Sequence, residues 1–159
     1  MPGLLAIDPG TEQSAWCDYS TEYGITFGTL ENPAMLGYLR RYAEDRAAPS
    51  LAVEMVASYG MPVGREVFET CVWIGRFLEA FGRPYRLVYR REVKLHVCAS
   101  PKANDATIRQ ALIDRFGPGK ERAIGTKKAP GPLYGMKADE WAALAVAVTA
   151  AETEAPDAS

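Results

Sequence analysis

The chain has little cysteine, one histidine, no long apolar run and almost no net charge, and each shortage removes a class of protein. Cys17, Cys71 and Cys98 are odd in number, widely spaced and without a CxxC pair, which argues against a disulfide framework or a zinc site and predicts a reducing, cytoplasmic setting. His96 has no partner at metal-binding spacing and reads as structural. No charged segment leads into an apolar stretch at Met1, and no run of about eighteen apolar residues occurs, so neither a signal peptide nor a membrane span is predicted. Taken alone, a formal charge of -2 counts against a polyanionic partner.

The charge is unevenly spread. Between Arg83 and Lys128 twelve Lys and Arg face four Asp and Glu, a formal +8 in one segment. The 159 residues are 48% apolar, enough for one domain with a sizeable core, here expected over residues 1–152 with a disordered tail at 153–159.

Leu4 to Asp8 is an apolar run stopped by Asp8-Pro9-Gly10-Thr11, the pattern of a strand entering a turn. Ser14–Tyr19 and Tyr23–Leu30 are rich in aromatic and β-branched residues, and the short link at Ser20-Thr21-Glu22 predicts an antiparallel meander. Asn32-Pro33 reads as N-cap and first-turn proline of a helix carrying Met35, Leu36, Leu39 and Tyr42. Leu51–Val56 and Pro84–Tyr89 are further strands. Arg65–Phe81 and Asn104–Phe116 have helical apolar periods, the second with a capping site near Asn104. Lys120–Gly135, rich in Lys, Gly and Pro, predicts an exposed loop, followed by an apolar helix over Met136–Glu152. The predicted order is three meandering strands followed by strand-helix alternation, an α/β fold on a mixed five-stranded sheet.

Four acids interrupt this pattern. Asp8 ends the first strand, and Glu54 interrupts Leu51-Ala-Val-Glu-Met-Val56, where a carboxylate is expensive unless it is paired or metal-bound. Asp139-Glu140 opens the last, apolar helix. Converging in one low-dielectric corner, such acids need raised pKa values or a cation, and oxygen-only ligands favour magnesium or manganese. Two such ions about 4 Å apart support in-line phosphodiester hydrolysis.

In order and over Leu4 to about Ala150, the chain resembles the RuvC-type Holliday junction resolvases of the ribonuclease H-like superfamily. Ala6-Ile-Asp-Pro-Gly-Thr11 and Leu51-Ala-Val-Glu-Met-Val56 are similar to the family's two catalytic strands. Arg90-Arg-Glu-Val-Lys-Leu95 with the helix from Asn104 is similar to its basic DNA-contacting region, and Lys137-Ala-Asp-Glu-Trp-Ala-Ala-Leu-Ala-Val-Ala147 to its catalytic helix. The compact length and the Ser58–Gly64 loop look like phage-encoded members, which would work in a bacterial host's cytoplasm. The resemblance implies a ribonuclease H-like fold, a homodimer, and paired magnesium-dependent nicks across a four-way DNA junction, with two ions per site held by Asp8, Glu54, Asp139 and Glu140. One position departs from it: where the family's last helix carries a second acid three residues on, this chain has Ala142.

By the same resemblance Lys94 contacts the scissile phosphate, with Lys102 and Arg109 as lesser candidates for that contact, and Arg90, Arg91, Lys127 and Lys128 join them as DNA-binding candidates. Tyr59 and Met61, after the second catalytic strand, suit a wedge between unstacked bases. Three other readings stand beside this one. Asp8-Pro-Gly-Thr11 also resembles the phosphate turn of sugar-kinase and actin-like ATPases, but the chain lacks the second domain and second turn those need. A nuclease for other branched DNA or structured RNA on the same fold, and a junction-binding protein impaired in catalysis, both fit the residues.

Overall fold

A computed structural model of the chain describes residues 3–20 and 23–154. Three antiparallel strands open it, β1 (Leu4–Asp8), β2 (Gln13–Ser20) and β3 (Gly24–Glu31). Helix α1 (Asn32–Asp45) leads to β4 (Ser50–Met55), and α2 (Arg65–Phe81) to β5 (Tyr85–Tyr89). The remainder is helical: α3 (Arg90–Cys98), α4 (Asp105–Phe116), α5 (Lys120–Ala123) and α6 (Glu140–Glu152). The sheet order is β3-β2-β1-β4-β5, with β1, β4 and β5 parallel, which is the mixed five-stranded sheet expected from the sequence.

Side chains alternate across the sheet, so β1 and β4 each feed two cores. Leu5, Ile7, Leu51 and Val53 pack with Met35 and Leu39 of α1 and Ile74 and Phe77 of α2. Leu4, Ala6, Ala52 and Val88 face the other way, onto Leu144 and Val148 of α6 and Ile108 and Leu112 of α4. By the same alternation Asp8 and Glu54 emerge on the α6 side. Nearly all of α6 is buried, which accounts for its lack of an apolar stripe.

Several local expectations are corrected. Asn32 is not the N-cap of α1; Glu31 holds that position, and Asn32 is fully buried. Helix α6 starts at Glu140, not Met136, because Ala138 has a positive φ of 47°, which no right-handed helix accommodates. Arg90–Cys98 is helical, with the Tyr89 N–H donating to Glu92 Oε2 at 2.8 Å over its first turn. The 120–135 segment holds α5 and folds back on itself, with Gly131 N donating to Ile124 O (2.9 Å), Leu133 N to Ala123 O (2.9 Å), and both Ala123 and Leu133 fully buried. A Cβ at Gly131 would lie 2.3 Å from Arg122 O, so this closure needs glycine there. Thr153, expected to begin a disordered tail, accepts at its carbonyl from Arg86 at 2.8 Å; the rest of that expected tail, 155–159, lies outside the described residues.

Candidate active site

The turn after β1 is organised from beneath. Ser14 and Asn32 are both buried, the Ser14 hydroxyl donates to Asn32 Oδ1 at 2.6 Å, and Asn32 Nδ2 donates to Gly10 O at 2.9 Å. The Gly10 N–H donates to Ser14 Oγ at 3.1 Å, and the Asn32 N–H to Glu12 O at 2.8 Å. These bonds tie the Pro9–Glu12 turn to β2 and to the start of α1, so the position of Asp8 is set by Ser14 and by Asn32, the latter expected only as a helix cap. Gly10 is obligatory here: a Cβ would lie 2.3 Å from Gln13 O.

The parallel register pairs Ile7 with Val53, which sets Asp8 and Glu54 side by side one step further on. Burial, then the Glu54 charge and the hydrogen bond to it, then Asp139, push the Asp8 carboxyl up to about 9, with Arg90 opposing. Burial also raises Glu54, while the bond from Asp8 and the Arg90 guanidinium hold it down. Both carboxyls therefore hold a proton more readily than free acids and titrate as a pair. Across β4–β5, Glu54 pairs with Val88, and Arg90 two residues on has a guanidinium nitrogen 3.8 Å from Glu54 Oε1. Its other terminal nitrogen pairs with Asp105 at the start of α4.

These residues line one open cleft of about 980 Å³ at the C-terminal ends of β1 and β4, closed on its far side by α4 and the start of α6. Asp8, Glu54, Asp139, Arg90, Arg109 and Tyr59 all line it. Asp139 is the N-cap of α6, but its exposed side chain makes no capping hydrogen bond and is free to turn toward the pair.

Glu140, expected as a ligand, is turned away. It is buried, with Oε2 accepting from the Thr29 hydroxyl of β3 at 3.0 Å and Oε1 from the Lys137 N–H at 3.1 Å, so it fastens α6 to the sheet. One residue from Asp139 on a helix is a turn of about 100°, and the two acids point to different places. Lys94 is likewise not on the cleft wall; it is half-buried on α3, about 6 Å along the axis beyond Arg90. Met61 (69% exposed), Arg91, Lys102, Lys127 and Lys128 are exposed and outside the lining, and His96 bonds Glu152 at 2.9 Å, the structural role expected of it. Three wall residues escaped the sequence reading: Asp105, Lys120 and Trp141. Lys120 lies inside the basic segment and Trp141 two residues beyond Asp139, which were the signals available.

Among the described residues no three His, Cys, Asp or Glu side chains stand close enough to hold a metal ion as placed. The donor set nevertheless fits one hard cation. Asp8 and Glu54 are adjacent oxygen donors whose raised pKa values a cation would relieve, and Asp139 is uncommitted on the facing wall. For a second ion the chain offers less, since Glu140 is spent on Thr29 and Lys137 and Ala142, on the wall, has no donor.

No family model and no curated protein matches this sequence. Among solved structures, that of Thermus thermophilus RuvC matches at a TM-score of 0.65 and 15% identity, over 94% of this chain and 93% of that one. The structure of T. thermophilus RuvC in complex with a Holliday junction substrate matches at 0.67 and 15% identity, over 95% and 93%. At that identity the likeness speaks for architecture, and the architecture is plain: across nearly its whole length the chain has the RuvC, ribonuclease H-like fold.

Proposed function

We propose that the protein is a structure-selective DNA endonuclease that resolves four-way junctions by paired, magnesium-dependent phosphodiester hydrolysis. The observation that carries this reading is the convergence of Asp8 and Glu54 at the ends of neighbouring parallel strands with a third carboxylate, Asp139, lining the same cleft. The likeness to a RuvC bound to a Holliday junction substrate supports the choice of substrate.

In this reading Asp8, Glu54 and Asp139 hold the ion. When bound, magnesium supplies positive charge to the phosphodiester and makes water a stronger nucleophile near neutral pH. Glu54 is oriented by Arg90, which Asp105 steadies from the other side. Lys120 adds positive charge to the wall, and Tyr59 and Met61, both exposed in the loop after β4, would serve as a wedge between bases. Arg91, Lys94, Lys102, Lys127 and Lys128 contribute to long-range attraction of the DNA backbone. A homodimer would place two such sites for symmetric cuts, and the exposed Phe68 and Val72 on α2 are the apolar surface it would cover.

Purified protein with magnesium is expected to nick a synthetic four-way junction in preference to linear duplex, flap and RNA–DNA hybrid, and Asp8→Asn or Glu54→Gln to abolish nicking while junction binding persists. Robust cutting by both variants would sink the proposal.

A further inference from the structure

The cleft contains an arginine that sits over an aromatic ring and, among the described residues, has no ionic partner. Arg109 lies on α4 with its guanidinium carbon 4.8 Å from the centroid of the Trp141 ring. The ring is itself held: Trp141 is 7% exposed, and its indole N–H donates to Met136 O at 3.2 Å. On α4 the acid four residues earlier, Asp105, is the helical neighbour that would ordinarily pair with Arg109. Asp105 is instead engaged by Arg90, which also reaches Glu54. Among the described residues Arg109 forms no ion pair, unlike Arg90 on the same cleft wall.

A guanidinium lying on an aromatic face keeps its N–H donors in its own plane, pointing outward at the edge. Those donors match a planar pair of anionic oxygens, bound by two parallel hydrogen bonds, and a phosphodiester presents that pair. Arg109 and Trp141 line the same cleft as Asp8, Glu54 and Asp139, and Trp141 follows Asp139 by two residues near the start of one helix. The carboxylate and the ring that orients the arginine therefore move together.

We propose that Arg109, oriented by Trp141, is the cleft's phosphodiester-binding group at the scissile phosphate. The inference rests on the nuclease reading and deepens it by assigning the group that seats the substrate. Arg109 touches the substrate; Trp141 is a positioning residue acting through it. The Arg90–Asp105 pair contributes by leaving Arg109 without a competing partner.

The test uses the full chain with three variants, Arg109→Ala, Arg109→Lys and Trp141→Leu, each checked for unchanged thermal unfolding. Junction binding is measured against salt in calcium, and single-turnover cleavage in magnesium. Arg109→Ala is expected to lower the log–log salt slope by about one, the value of one released counterion, and to slow cleavage by about 10²-fold, the order seen when one donor to a developing oxyanion is removed. Arg109→Lys restores the slope but only part of the rate, because an ammonium lacks the planar fork. Trp141→Leu keeps the slope and lowers the rate. A slope and rate within twofold of the parent in Arg109→Ala overturn the proposal, as does full rate recovery in Arg109→Lys. If the parent protein cuts no branched DNA, the nuclease reading fails separately; binding of a short single-stranded DNA in calcium still reads the Arg109 slope, and its persistence in Arg109→Ala overturns the phosphodiester contact.

Discussion

Asp8 and Glu54 stand side by side at the ends of two parallel strands, one step beyond the Ile7–Val53 pair, and desolvation holds both carboxyls above the usual carboxylate range. Apolar neighbours on both strands leave the pair only partly open to the cleft, and Arg90 offsets only part of the charge at 3.8 Å. The site is thus built to exchange a proton for a stronger positive charge.

That exchange makes stability depend on pH. Folding raises Asp8 from 3.8 to about 9 and raises Glu54 as well, so within that window the folded chain keeps a proton that the unfolded chain has released. Metal-free protein is expected to be most stable below about pH 4 with respect to this pair and to lose stability as pH climbs toward 9, by at most about 1.4 kcal/mol per unit. Thermal unfolding across that range should show the decline, magnesium should flatten it, and Asp8→Asn should remove most of it. A flat profile in the metal-free parent would show that the pair is not buried as described.

Asp139 and Glu140 are adjacent in sequence and opposite in consequence. Asp139→Asn is expected to leave the unfolding temperature nearly unchanged and to remove cleavage, because its side chain makes no capping bond and faces the cleft. Glu140→Ala removes the two hydrogen bonds by which the buried carboxylate ties the start of α6 to Thr29 of β3 and to the Lys137 N–H, a loss of about 1–3 kcal/mol. Magnesium affinity, read by titration of the folded variant, should stay near the parent value in Glu140→Ala and fall in Asp139→Asn.

The contrast between these two acids shows where the sequence stops being informative. Asp8 and Glu54 were legible because each breaks an apolar strand, where period-two alternation fixes the face and burial makes a stray carboxylate costly. Helix α2 and the Asn104 cap of α4 were legible for the same kind of local reason, and Asn104 Oδ1 does accept from Thr107 N at 2.9 Å. The phase of α6 was not, because a helix buried all round has no stripe to read, and the backbone at Ala138 that sets its start has no sequence signature. Nor does composition reveal that Arg90 is drawn to Glu54 and Asp105 or that Lys94 sits a turn too far, since both depend on where α3 leaves β5.

The buried bonds beneath the first turn make a prediction at a distance from the chemistry. Asn32→Ala removes the donor to Gly10 O and the acceptor of the Ser14 hydroxyl, and is expected to destabilise the fold by about 2–3 kcal/mol. For a chain of this size that is a fall in Tm of roughly 4–12 °C. Because the turn it releases carries Asp8, cleavage measured well below the lowered Tm should also drop, with magnesium affinity falling alongside it. Loss of stability without loss of affinity would mean the turn holds its shape through β1 and β2 alone.

The sharpest test of the incomplete ligand set adds a group. Ala142 lines the cleft on α6, three residues after Asp139 and therefore on the same face of that helix, with Asp8 and Glu54 across from it. Ala142→Asp places a further oxygen donor where the chain has none, at the cost of more repulsion among buried acids. The variant is expected to be less stable than the parent without metal, to gain more from magnesium, and to reach half-maximal cleavage at a several-fold lower magnesium concentration. Stability falls because the added carboxylate raises its neighbours' pKa values further, and the magnesium gain is larger because the cation relieves more charge. If half-saturation is unchanged while the metal-free protein is destabilised, residue 142 is near the acids but outside the reach of the ion, and cleavage proceeds on Asp8, Glu54 and Asp139 alone.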